Sequence, residues 1–337
     1  MISLLANHLW QSTLFAGAAG LLVLALRNNR AQVRYWIWLI ASLKFLVPFW
    51  AIVALGSYFA PATTVPAASA GFSDVVTEIG QPFVAPSVSF AAVHPTTNPV
   101  PEILLALWLC GFLAVAFRWY ARWRRIRATV RAARPLALGA AVPALSSPAL
   151  LEPGIFGIFR PVLMLPEGIA EHLTREQLNA ILAHELCHVR RRDNLFAALH
   201  MLVEAIFWFH PLVWWIGARL VEERERACDE EVLRLGNEPE IYAESILRTC
   251  RFYLESPLVC MSGVTGANLK KRVVRIMTQR VTHPIDFTRK VLLVAAGVLA
   301  ISGPLAFGLM NTPEALAQSP PGEKPKFEVA SIKPDKS

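Results

Sequence analysis

Formal charge is scarce in this chain. Only 17% of its 337 residues are Asp, Glu, Lys or Arg, against 54% hydrophobic, and mean hydropathy is +0.42. So little charge excludes an ordinary soluble domain and points to a membrane protein. Residues 1–26 carry no formal charge at all, so no charged n-region precedes the first apolar run, which argues against a signal peptide. Cysteine is sparse too. Cys110, Cys187, Cys228, Cys250 and Cys260 are odd in number and lack paired spacing, so they read as free thiols and not as a disulfide framework. Lys and Arg are missing from 61–101, where seven prolines and only Asp74 and Glu78 as charges make an extended loop with no core of its own. The net charge of +8 does not imply nucleic-acid binding. The arginines sit beside apolar runs, as the positive-inside rule expects, and no direct nucleic-acid contact is expected.

Four apolar runs are present, at 9–26, 35–60, 103–117 and 291–310. Lys44 lies inside the second and must face a partner helix or snorkel. Arg27, Arg30 and Arg34 follow the first run and a cluster from Arg118 to Arg134 follows the third, whereas no basic residue follows the second. That pattern places the N-terminus and 61–101 outside and 118–289 in the cytoplasm. The expected organisation is two transmembrane helices in 1–60, a Pro-rich extracytoplasmic loop at 61–101, and a third transmembrane helix at 102–120. A cytoplasmic domain at 121–289, a fourth transmembrane helix at 290–310 and an extracytoplasmic tail at 311–337 complete it. The tail is rich in Pro and Lys and ends in FEVASIKP, which reads as a linker plus the first strand of a further domain.

The chemistry sits at His184-Glu185-Leu186-Cys187-His188, an H-E-x-x-H pattern. Histidines four apart on a helix share a face, so both can reach one Zn²⁺ while Glu185 takes a proton from water at the open position. Thr174 and Gln177 form an expected capping box, and Leu178, Ile181, Leu182, Leu186 and Val189 recur at helical spacing, giving a helix over 175–190. Cys187 points off the histidine face and reads as packing. A two-histidine site needs a third protein ligand, commonly a carboxylate. Within the charged run 222–231, Glu225 and Asp229 are four apart, so one can ligate while the other hydrogen-bonds a ligand histidine. Asp193, five beyond His188, is a second candidate for that orienting role. His200 and His210 are alternative ligands, with satisfied core histidines the better reading of both.

Other segments carry weaker signals. The stretch 195–218 is long and apolar enough to span a membrane, but Pro211, Glu204, His200 and His210 make it a buried or interfacial helix pair broken near His210-Pro211. Pro161 and Pro166 bracket a short strand that suits a sheet edge, either open to an extended peptide or simply packed. Lys270-Lys271-Arg272 reads as a solvated basic face, with a self-cleavage site as the alternative.

With the four spans, Arg160-Pro161-Val162 through Leu165-Pro166, HELCH running into Arg190-Arg191-Arg192-Asp193-Asn194-Leu195, Phe209-His210-Pro211 with Trp214-Trp215, and Glu225 through Asp229, the chain resembles the BlaR/MecR-type integral membrane zinc metallopeptidases, the antirepressor sensors of β-lactam resistance. The likeness covers most of 1–310. Glu225-x-x-x-Asp229 is also similar to the third-ligand helix of gluzincins, which implies Glu225 as ligand and Asp229 beside a ligand histidine. The implied fold is a mainly α membrane protein, four transmembrane helices with an inserted α+β gluzincin-like zinc metallopeptidase domain. The implied activity is cleavage of a cytoplasmic transcriptional repressor, with self-cleavage allowed, at the bacterial inner membrane. Zn²⁺ is the expected cofactor, held by His184, His188 and Glu225, with Glu185 as base. The expected partners are the lipid bilayer and a protein substrate, and a homodimer stays an open alternative. No penicillin-binding sensor domain follows the fourth run, so a β-lactam ligand is not supported. The rival reading is a non-catalytic membrane signalling scaffold with a structural zinc, which an intact Glu185 and only three nameable ligands oppose. A transporter is weaker still, since Lys44 is the single intramembrane charge.

Overall fold

The computed structural model describes residues 2–59, 82–83, 99–139, 141–148, 152–254, 266–278 and 286–310. Nearly all of the expected loop at 61–101 and all of the tail at 311–337 lie outside the described residues. Helix α1 (Ile2–Ala25) is 24 residues long, about 36 Å, enough to cross a hydrocarbon core of about 30 Å. Helix α4 (Val100–Ala132) has 33 residues and is about 50 Å long, so its arginine-bearing half extends well past such a core. It runs without a break through the expected 120/121 domain boundary. Helix α11 (Phe287–Met310) is the third helix long and apolar enough to cross a membrane. No residue in the apolar window of α4 is buried against protein, and Leu104, Leu105, Leu292 and Val294 are exposed and free to meet lipid.

The second apolar run is not one straight helix. It divides into α2 (Ala31–Lys44) and α3 (Phe49–Tyr58), bent by 75°. Pro48 caps α3 in an extended conformation and cannot continue a helix, which accounts for the break. Among the described residues, the helices long and apolar enough to cross a membrane therefore number three, or four if the bent pair is counted as one. Lys44, at the end of α2, donates to Ser12 Oγ of α1 at 3.0 Å, so it faces a partner helix. Helix α3 packs along α11.

Between α4 and α11 lies the mixed region. A four-stranded sheet comprises β1 (Arg134–Leu136), β2 (Ala144–Ser147), β3 (Gly154–Phe156) and β4 (Val162–Pro166), in the order β1-β2-β4-β3. The strand bracketed by prolines is therefore interior, parallel to β2 and antiparallel to β3, which corrects the expectation of an edge. Pro161 precedes the strand and Pro166 ends it, so neither removes a donor from the middle of the ladder. The edge that borders the HELCH helix is β3. The carbonyls of Ile155 in β3 and of Gly157 just beyond it accept from Asn194 Nδ2 at 3.0 and 2.9 Å, which closes that edge locally. Gly157 turns β3 into β4 at φ +95°, where a Cβ would lie 2.5 Å from the Arg160 carbonyl oxygen.

A one-turn helix α5 (Ile169–His172) leads into α6 (Arg175–Arg191), then α7 (Asp193–Ile206), α8 (Pro211–Arg234), α9 (Pro239–Leu254) and α10 (Gly266–Met277). The stretch 195–218 is broken at 207–210, as its proline required. The orphan carbonyls of that break are satisfied by indoles: Trp108 donates to Ile206 O at 2.9 Å and Trp214 to Trp208 O at 2.8 Å. Trp208 donates in turn to Trp108 O at 3.1 Å, locking α4 to the break. A core of Tyr35, Trp38, Leu39, Phe45, Val203, Val213, Ile216 and Leu220 joins α2 to α7 and α8.

Candidate active site

Helix α6 starts with the capping box read from the sequence. Thr174 Oγ1 accepts from Gln177 N at 3.3 Å, and Gln177 Oε1 accepts from Thr174 N at 3.1 Å. This fixes the register that puts His184 and His188 on one face, ring centroids 4.9 Å apart. Helix α6 ends at Arg192, a non-glycine residue at φ 56°. That corner stores roughly 1 kcal/mol or more of backbone strain and turns Asp193 back over the helix it has just left.

Three donor groups converge across α6 and α8. His184 Nε2 and His188 Nε2 are 3.2 Å apart, His184 Nε2 is 3.4 Å from Glu225 Oε2, and His188 Nε2 is 3.8 Å from Glu225 Oε1. Donors about 2.0–2.1 Å from a tetrahedral zinc lie roughly 3.3 Å from one another, so the trio fits such an ion. Each imidazole is held through its other nitrogen. His188 Nδ1 donates to Asp193 Oδ2 at 2.7 Å. His184 Nδ1 donates to the Tyr242 hydroxyl at 2.9 Å, and Tyr242 donates to Asp229 Oδ1 at 2.6 Å. Asp229 lies 3.4 Å from His184 itself. Both Nε2 lone pairs are thereby aimed at the space shared with Glu225. Glu185, next to His184, is buried.

The charges around the trio shift its groups in opposite directions. Burial alone pushes the His188 imidazole down, yet the Asp193 hydrogen bond and the Glu225 and Glu185 charges together carry it above its ordinary value. Burial likewise pushes Glu225 up, but the hydrogen bond with His184 and the charges of His188, His184 and Arg224 hold it well below the usual carboxylate range. Burial first, then the Asp229 charge, raise the Tyr242 phenol well above its ordinary value, so it keeps the proton it donates.

Two residues of this centre carry no local sequence signal, Tyr242 on α9 and Arg272 on α10. Arg272 Nε lies 3.0 and 3.1 Å from the two Asp229 oxygens, and Nη2 lies 2.7 Å from Oδ1. It also sits 3.1 Å from the Tyr242 hydroxyl and 3.2 Å from His184 Nε2. The Lys270-Lys271-Arg272 stretch is therefore not simply a solvated basic face. Its arginine turns inward to neutralise a buried aspartate, an outcome that helical spacing alone does not reveal. Cys187 is buried off the histidine face, as expected. Cys228 Sγ is 3.4 Å from His188 Nδ1 and 3.9 Å from Asp193, a second donor group that uses the other nitrogen of His188 and does not close the first. His200 bonds Ser42 Oγ through Nδ1 at 2.7 Å, and His210 Nε2 lies 3.4 Å from Thr13 Oγ1. Neither belongs to a group of converging metal-ligand side chains among the described residues.

The model of the BlaR1 peptidase M56 family matches residues 7–276. The regulatory protein BlaR1 of Bacillus licheniformis is 30% identical over 162 residues, covering 46% of this chain and 27% of that protein. The methicillin resistance mecR1 proteins of Staphylococcus aureus and Staphylococcus epidermidis are each 32% identical over 99 residues, covering 29% of this chain and 17% of those proteins. The chain thus matches less than a third of the length of these curated relatives. A family match over most of the chain, on apolar helices and a His-His-Glu trio, leads to one conclusion: the chain belongs to the BlaR1 peptidase M56 family.

Proposed function

We propose that this chain is a membrane-embedded zinc endopeptidase of transmembrane signalling. The observation that carries the reading is the convergence of His184, His188 and Glu225 within 3.2–3.8 Å, each imidazole turned by a hydrogen-bonded partner. These three residues would hold Zn²⁺, and the part-exposed side of Glu225 leaves room for the fourth position. When bound, the zinc supplies Lewis acidity, polarising a carbonyl and lowering the pKa of a water. Glu185 accepts the proton of the attacking water and returns it to the leaving amine. Asp193 holds His188 in the ligating tautomer, and Asp229 does the same for His184 through Tyr242. Arg272 offsets Asp229, Arg191 offsets Asp193, and Glu185 and Glu225 face the dication with the Arg224 guanidinium beside Glu225.

The architecture in this reading is four spans, with the bent pair α2 and α3 as one of them, around a gluzincin-like unit. The arginines after residue 117 support a cytoplasmic active site at the bacterial inner membrane. The substrate class is a transcriptional repressor, with self-cleavage alongside, supported by similarity to proteins named for regulation and methicillin resistance. The test is co-expression in membranes with a panel of repressors, comparing wild type with Glu185→Ala and identifying fragments by mass spectrometry. Wild type is expected to release a defined fragment, and Glu185→Ala to slow its release by about 10²–10⁴-fold. Equal cleavage by both variants contradicts the assignment.

A further inference from the structure

Helix α8 carries carboxylates on two opposite faces. Glu225 and Asp229 meet the histidines on one. Glu223 and Glu230 project from the other, seven residues apart and therefore stacked two turns from each other. They meet the first turn of α2. Arg34 Nε and Nη2 each lie 2.9 Å from Glu223 Oε2, with both side chains almost fully buried. The Glu230 oxygens accept from Ala31 N at 3.1 and 3.2 Å. Arg30, the N-cap residue of α2, makes no side-chain cap, so Glu230 caps α2 from another helix and its charge faces the positive end of the helix dipole. Arg34 also donates to the carbonyls of Arg27 and Asn29, which ties the α1–α2 turn into the same clamp.

The neighbouring residue leads to the other arm of the centre. The Arg191 guanidinium lies 5.0 Å from the centroid of the buried Tyr35 ring. Arg191 Nε donates to Asp193 Oδ1 at 3.1 Å, and Asp193 holds His188 at 2.7 Å. Two adjacent residues at the start of a membrane helix therefore reach both helices of the His-His-Glu trio. Arg34 acts through Glu223 on α8 and Tyr35 through Arg191 and Asp193 on α6.

We propose that the first turn of α2 is the input of the metal centre, with Arg34 and Tyr35 as positioning residues that let the membrane helices set the relative placement of Glu225 and His188. This rests on the His-His-Glu trio being the metal site. A shift of α2 along its axis moves two buried contacts at once, because neither has solvent to take the place of its partner. That is a contiguous physical link between the spans and the site, and it specifies where a signal from the membrane enters.

The test uses the full-length protein in nanodiscs, with zinc affinity read by chelator competition and site geometry by the visible spectrum of the Co²⁺-substituted protein. Arg34→Gln is expected to weaken zinc binding by about tenfold and to move the Co²⁺ bands. Arg34→Lys, which keeps the charge, is expected to recover part of both. Tyr35→Leu keeps an apolar side chain and so keeps the fold. It is expected to shift the Co²⁺ bands, whereas Tyr35→Phe retains the ring under Arg191 and matches wild type. Ile40→Ala, on the exposed side of α2, serves as the control and is expected to change neither readout. Wild-type affinity and spectrum in both Arg34→Gln and Tyr35→Leu would overturn the proposal while leaving the metal centre intact. Failure of wild type to bind either metal would remove the trio as a metal site and the proposal with it.

Discussion

The two faces of α8 hold charges of the same sign in different company. On the face toward α2, Glu223 is matched by Arg34 and Arg226, and Glu230 by a helix N-terminus. On the face toward α6, Asp229 is matched by Arg272, and Glu225, paired with Arg224 at 3.0 Å, also faces two imidazoles across a gap of zinc-ligand dimensions. The first face is finished by protein alone. The second brings a carboxylate and two imidazoles to one space, which in the proposed function a zinc ion completes.

Breaking a match on either face costs stability, and the cost should follow burial. The largest effect is expected for Asp229→Ala, which strands Arg272 beside His184 and removes the acceptor of Tyr242. A loss of about 3–5 kcal/mol is expected in chemical denaturation of the detergent-solubilised protein. A loss under about 1 kcal/mol would mean that the Asp229 cluster is not closed as described. Tyr242→Phe is milder. It deletes one hydroxyl from a relay that keeps its other partners, so about 1–2 kcal/mol of stability is expected to go, with a 10–100-fold drop in zinc affinity. An unchanged affinity would mean that His184 is oriented by something else.

The smallest effect lies on the rim of α8. Glu231 is drawn down to about 2 by its hydrogen bond from Arg234, against a burial penalty, and then by Arg190. Its folded value lies below its unfolded value of about 4.3, so its contribution is present above that value and is lost as pH falls towards 2. Both arginines are largely exposed, so Glu231→Gln is expected to cost under about 1 kcal/mol at pH 7 and to flatten the acid limb of the stability profile. A cost of several kcal/mol would make this rim pair as important as the buried ones.

How much of this could be read beforehand depended on where the deciding contacts lay. Helix α6 was legible because its signals are local: a capping box, a 3.6-residue apolar stripe and two histidines four apart. The break in 195–218 was legible because Pro211 cannot be bridged. The charged run 222–231 was legible as a helix, and Glu225 with Asp229 as one of its faces, but not that the opposite face would be buried too. That depends on Arg34, some 190 residues away, and periodicity within the run cannot report it. Arg272 and Tyr242 escaped for the same reason, being 88 and 58 residues from His184. The interior position of β4 escaped because prolines at the two ends of a strand look alike whether the strand is central or at an edge. Asp193 was a weak candidate because five residues beyond His188 is the wrong helical spacing. Only the positive-φ corner at Arg192 brings it back onto the ring.

The most direct test of the central claim is the zinc content of purified protein in wild type, Glu185→Ala and Glu225→Ala. One equivalent of zinc is expected in wild type and in Glu185→Ala, and none in Glu225→Ala, from the proposed roles of Glu225 as ligand and Glu185 as base. Retention of zinc by Glu225→Ala, or its loss from Glu185→Ala, would contradict the account.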